Sequence, residues 1–138
     1  MKGFIPAQTC EYPIEYLPAE AITPKIGLCL AIDGTNSGQL EVSVTPQFIC
    51  LCERSAAVTA GELIPVMRIT DDIVFAATLD GSTSLKAGAI AAVKSDGMQI
   101  DADGTTSRCF LLERLTGTAS GDLVYGRFVD KIADPVSG

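Results

Sequence analysis

Few residues of this chain have side chains that could do chemistry. Five cysteines stand at 10, 29, 50, 52 and 109, and there is no histidine. A thiolate can serve as a nucleophile or hold zinc, but each role needs a helper at a set spacing. No Cys-x-x-Cys occurs and no imidazole is present, so neither a structural zinc site nor a Cys–His pair is expected. Cys50 and Cys52 are two apart on an expected strand and share a face. Extended geometry separates such Cα atoms by roughly 7 Å, near the upper limit for a disulfide. The cysteines read as buried free thiols of a reducing compartment.

The carboxylates divide in the same way. Asp71-Asp72, Asp96, Asp101 and Asp103 offer oxygen ligands of the kind calcium takes, and Asp101-Ala-Asp-Gly104 starts like a calcium loop. The fifth and twelfth ligand positions are wrong, so these read as solvated loop acids. Glu53-Arg54 and Glu113-Arg114 recur as pairs. Acid–base work by carboxylates needs burial and convergence, which neighbours on a strand lack because they point to opposite faces. Gly in Thr59-Ala-Gly-Glu-Leu63, Lys86-Ala-Gly-Ala-Ile90 and Ala119-Ser-Gly-Asp-Leu123 reads as a turn corner with positive φ. No Gly-Lys-Ser/Thr follows to make a phosphate loop, and no Gly-x-Ser-x-Gly elbow presents a nucleophile. The expectation is a non-enzyme with no catalytic residue, no cofactor and no metal.

The elements that carry these residues repeat. Phe48-Ile-Cys-Leu-Cys-Glu-Arg54 leads through a small-residue loop to Gly61-Glu-Leu-Ile-Pro-Val-Met-Arg-Ile69. Cys109-Phe-Leu-Leu-Glu-Arg114 leads in the same way to Gly121-Asp-Leu-Val-Tyr-Gly-Arg-Phe-Val129, with Glu53 matching Glu113 and Gly61 matching Gly121 at an offset of 60 (113 − 53, 121 − 61). Upstream, Lys25-Ile-Gly-Leu-Cys-Leu-Ala-Ile32 matches Lys86-Ala-Gly-Ala-Ile-Ala-Ala-Val93 at an offset of 61 (88 − 27). The Ala-rich run 87–93 favours a helix by propensity alone. The Asp96-Gly97 turn after it and its strand-like partner copy favour a strand.

Two four-strand units, 24–69 and 85–129, are therefore expected, packed together to close one core. Asp71-Asp-Ile-Val-Phe-Ala-Ala-Thr-Leu79 is an apolar strand joining them. Pro65, inside an expected strand, should mark an edge or a bulge. The domain plan is an extended N-terminal arm at 1–23, one β domain at 24–130 and a C-terminal tail at 131–138. The fold class is mainly β, a compact barrel or sandwich built by internal duplication. Pro6, Pro13 and Pro18 keep the arm extended. Tyr12, Ile14, Tyr16 and Leu17 are too apolar for an idle tail and form the candidate interface, with an edge strand on the same domain as the other reading.

With 47% hydrophobic residues the 138-residue chain can fill a core, although aromatics are only 6% and Trp is absent, so aliphatics must do most of it. The net charge of −7 opposes binding to a phosphate backbone, so no nucleic acid is expected. No apolar run reaches the roughly 18 residues of a membrane span, so no membrane partner is expected. Lys2 is the only early base and prolines interrupt the start, which is unlike a signal peptide and points to synthesis in the cytoplasm.

Three segments, 57–69, 84–98 and 118–128, together resemble small β-rich capsid decoration, or cement, proteins of tailed phages and prophages. The likeness covers roughly residues 24–130 and lies in turn-plus-strand patterns. The resemblance implies a non-enzymatic virion protein on the capsid exterior, often trimeric, that binds the major capsid protein and reinforces capsomer joints. It carries over no binding residue. The alternative is a small β-barrel ligand-binding or assembly module with no capsid.

Overall fold

The computed structural model describes residues 2–7 and 11–129. The expected tail at 131–138 and Cys10 lie outside the described residues. Eleven strands and no helix occur among those described. They are β1 (Ile5–Pro6), β2 (Ile14–Pro18), β3 (Cys29–Ile32), β4 (Leu40–Val42), β5 (Phe48–Cys50) and β6 (Leu63–Arg68). β7 (Phe75–Asp80), β8 (Ile90–Val93), β9 (Ile100–Asp101), β10 (Phe110–Leu115) and β11 (Leu123–Phe128) complete the chain. The Ala-rich run ends in β8, so cross-strand pairing outweighs its helix propensity.

β7, β11, β10, β8 and β9 form a closed barrel, sealed where β9 returns parallel to β7 through Leu79 opposite Ile100. β2, β6, β5, β3 and β4 form a second sheet, whose ends meet at one parallel bridge, Ala19 opposite Leu40. The two bridges are 60 residues apart on both sides (79 − 19, 100 − 40). Backbone bonds repeat likewise. Gly61 N–H donates to Ala19 O and Gly121 N–H to Leu79 O, both at 2.8 Å. Gly27 N–H donates to Cys50 O at 2.9 Å, and Gly88 N–H to Leu112 O at 2.7 Å. The duplication is thus structural, and each unit has five strands. β2, inside the stretch read as an arm, holds in the first unit the place that β7 holds in the second.

The equivalences also correct one match. Cys50 answers Leu112 at an offset of 62 (112 − 50), so β5 and β10 are two residues out of step with the Glu-Arg alignment. Glu113 and Arg114 lie within β10, whereas Glu53 and Arg54 follow the end of β5. The loop to the next glycine compensates, with 11 steps in the first unit (61 − 50) and 9 in the second (121 − 112). Pro65 also differs from expectation. β6 lies between β2 and β5 and is not an edge. β5, however, ends at Cys50, opposite Val66: one step on, Leu51 N–H donates to Pro65 O at 3.0 Å, but Pro65 has no N–H to return the bond, so the proline sits where that ladder stops. In the second unit a bulge between Leu112 and Arg114 sits at the same place, opposite Tyr125.

Strand alternation sorts the core. Leu30, Leu40, Phe48, Cys50, Ile64 and Val66 fill the first unit. Their counterparts Ala91, Ile100, Phe110, Leu112 and Val124 fill the second. Cys29, Ile49 and Met67 point the other way and join the second unit's cluster, so both faces of β5 are buried and that cluster spans the two units, beside a separate cluster inside the first. Gly3 and Phe4 stitch them further. Gly3 N–H donates to Met98 O and Phe4 N–H to Gly27 O, both at 2.9 Å. The Phe4 ring then lies 5.4 Å from Phe110 and 5.2 Å from Phe128.

Candidate functional site

Two features stand apart from this packing. The first is an apolar stripe. In the β2–β6 ladder, Tyr16 lies opposite Pro65 and Pro18 opposite Leu63, so these side chains share an outer face with Ile14. Ile14 is 57% exposed, Tyr16 63% and Leu63 56%. Alternation sends Leu17 inward against the first unit's core, and Tyr12 packs against the shared cluster. Of the four expected interface residues, Ile14 and Tyr16 present open apolar surface. Leu63 was missed, although its spacing of two from Pro65 on a strand already placed them on one face. Glu15, between the exposed pair, receives two hydrogen bonds from Arg68, at 2.9 and 3.1 Å.

The second feature is a cluster of carboxylates from Glu20, Asp33 and Glu41, with oxygens within 4.8 Å of one another. Glu20 follows β2, Asp33 follows β3 and Glu41 lies in β4, so closure of the first unit assembles them. Asp33 accepts hydrogen bonds from the Asn36 side-chain amide, at 3.3 Å, and from the Asn36 and Thr35 backbone amides, each at 3.2 Å. Partial burial alone would raise its pKa, but these donors outweigh it and hold the carboxyl below its ordinary value. Glu41 has no such donors. Burial first, then the Asp33 and Glu20 charges, push its pKa up. The three could offer oxygens to a hard cation, and no other such cluster occurs among the described residues.

The second unit shows what the same place looks like with a cation in place of one acid. Asp80, Lys94 and Asp101 occupy the equivalent positions (20 + 60, 33 + 61, 41 + 60). The Lys94 ammonium lies 2.9 Å from Asp80, whose hydrogen bond holds the Lys94 pKa above its ordinary value. A pH dependence follows for the first unit. A carboxyl with a raised pKa in the fold favours folding while protonated, and that contribution is lost as pH rises through the folded value. Glu41→Gln should therefore raise the melting temperature at pH 7 and leave it unchanged well below the ordinary carboxylate range. A thermal melt at both pH values checks the sign.

Three of the acids considered for calcium bond to groups two residues away. Asp96 accepts from the Met98 amide at 2.9 Å, and Asp101 from the Asp103 amide at 3.2 Å. Asp72 accepts from the Thr70 hydroxyl. The Glu-Arg neighbours do not pair with each other. Arg54 bridges to Glu62, Arg127 to Glu113 at 2.7 Å, and Arg114 stacks over Tyr125 at 4.3 Å. The thiols of Cys50 and Cys109 are pushed up to about 11 by burial, and that of Cys29 is raised too. Such thiols carry little thiolate at neutral pH and are poor nucleophiles. Surface clefts exist, among them one of about 620 Å³ lined by Gln47, Arg68, Asp71 and Phe128 and one of about 480 Å³ lined by Lys2, Lys25, Glu53 and Asp96. No family model matches the chain, and no curated protein matches it in sequence.

Proposed function

We propose that this protein is a non-enzymatic virion component that docks on the outer surface of a phage capsid, contacts the major capsid protein and stabilises the joints between capsomers. The observation that carries the proposal is the outward stripe of Ile14, Tyr16 and Leu63 on a double unit whose interiors are filled. Such a body is stiff and offers apolar contact area on one face, which lattice binding requires. The resemblance to decoration proteins supplies the kind of lattice. The net charge of −7 opposes indiscriminate association at high copy number.

A ligand-binding module would need a pocket with convergent polar groups. The side chains that fill both units speak against a site in either interior. Docking on a shell needs only weak single contacts when several are made at once, because each raises the effective concentration of the next. Purified protein should add to undecorated, expanded capsids and raise their resistance to heat. It should bind isolated capsid subunits poorly, since the site spans neighbours. Co-sedimentation with shells and with subunits is the measurement. Equal affinity for both would remove the composite site, and no affinity for either would remove the capsid reading.

A further inference from the structure

The two units differ at one strand edge. In the second unit β1 covers the outer edge of β7. Ile5 pairs with Ala76, and Ala7 N–H donates to Val74 O at 2.8 Å. Ala76 is only 7% exposed there. The offset of 60 carries Val74 and Ala76 onto Ile14 and Tyr16 (74 − 60, 76 − 60). Among the described residues no strand covers that edge of β2, whose ladder partner there is β6 alone. Along an antiparallel strand, N–H and C=O of one residue point to the same side and alternate between residues. Pro65 O accepts from Leu51 on the β5 side, so Ile64 and Val66 face β2 and bond their partners Leu17 and Glu15. The N–H and C=O of Tyr16 therefore point away from β6, and they have no backbone partner among the described residues.

We propose that this edge pairs with the same edge of a second copy of the chain, antiparallel and centred on Tyr16, to form a twofold dimer. Each Tyr16 then exchanges N–H···O=C bonds with the other in both directions, the self-complementary arrangement that a twofold axis demands. Three observations favour a second copy as the occupant. One residue carries both the free donor and the free acceptor, so the edge matches itself. Arg68 already neutralises Glu15 with two hydrogen bonds, so two acidic chains meet without bare carboxylates at the seam. The Tyr16 rings, each flanked by Ile14, become a cross-strand pair on the outer face that the two sheets then share. Pro13 and Pro18 bound the edge and lack an N–H, which keeps the ladder short. The matching edge of the second unit is already filled by β1, so assembly stops at two chains.

This inference concerns the purified chain alone and does not rest on the capsid reading. Sedimentation velocity from micromolar to millimolar protein should show a reversible monomer–dimer equilibrium. Hydrogen exchange followed by NMR should show the Tyr16 amide slowing as concentration rises, because only pairing across the edge protects it. Tyr16→Lys should weaken the dimer by about tenfold or more with the melting temperature kept, as edge lysines oppose strand pairing. Ile26→Lys, at an exposed apolar residue outside β2 and β6, should leave the dimer intact. Should Tyr16→Lys fail to fold, the wild-type Tyr16 exchange rate decides by itself. A monomer at every concentration would overturn the proposal. So would a trimer, or a dimer in which the Tyr16 amide exchanges at one rate throughout.

Discussion

Phe128→Ala should destabilise the protein by about 3–5 kcal/mol, the usual cost of truncating a buried phenylalanine. Phe128 is the hub of a ring cluster. Its centroid lies 5.2 Å from Phe4, 5.4 Å from Phe75 and 5.0 Å from Phe110, and the last two contacts are edge-to-face. Four of the chain's five phenylalanines are thus gathered in the second unit's cluster. The first unit has only Phe48, with Arg68 over its ring at 4.9 Å. Truncation at Phe128 leaves a cavity facing three rigid rings that cannot all collapse into it. The loss is a large share of the roughly 5–15 kcal/mol that holds a domain folded. A chain of this length should melt roughly 10–20 °C lower. A urea titration would give the free energy directly. A loss below about 1.5 kcal/mol would mean that the ring cluster is not a unit of the core.

Gly27→Ala should cost on the order of 4 kcal/mol, while Gly88→Ala at the equivalent place should cost about 1–2 kcal/mol. Both glycines have positive φ, 87° and 96°, where a Cβ is strained. Around Gly88 the space is open, so strain is the whole penalty. A Cβ on Gly27 would meet Phe4 N at 2.6 Å and Gly3 Cα at 2.7 Å. Those atoms are backbone and have no rotamer to move. The N-terminal segment would have to lift, breaking the Phe4–Gly27 hydrogen bond and drawing the Phe4 ring out of its cluster. Deleting residues 1–7 should therefore reproduce most of the Gly27→Ala loss, and adding Gly27→Ala to that deletion should cost no more than Gly88→Ala does. Melts of the four variants test this. Equal losses at Gly27 and Gly88 in the full chain would show that the N-terminal segment contributes nothing.

Much of the architecture follows from local pattern. Short apolar runs between glycine and aspartate turns can only be strands, and glycine before an aliphatic residue marks a corner wherever φ must be positive. Lys25-Ile-Gly27 and Lys86-Ala-Gly88 exposed the duplication because turn chemistry tolerates few substitutes. The apolar alternation of Ile14 and Tyr16 marked a surface without showing which residues would join it. Three things needed tertiary structure. That these two segments are the equivalent fifth strands of the units was hidden because Glu15-Tyr-Leu-Pro-Ala-Glu20 and Phe75-Ala-Ala-Thr-Leu-Asp80 match at no position. What they share is a place in the hydrogen-bond ladder, which many side chains can occupy. The step between β5 and β10 was misjudged because loops of 11 and 9 steps bring unlike residues into register and separate the two Glu-Arg pairs. The carboxylates of Glu20, Asp33 and Glu41, and the open edge at Tyr16, exist only once the first sheet curls until Ala19 meets Leu40. Closure brings together residues up to 21 positions apart (41 − 20) and decides which backbone groups find partners. Neither is a property of any local stretch of sequence.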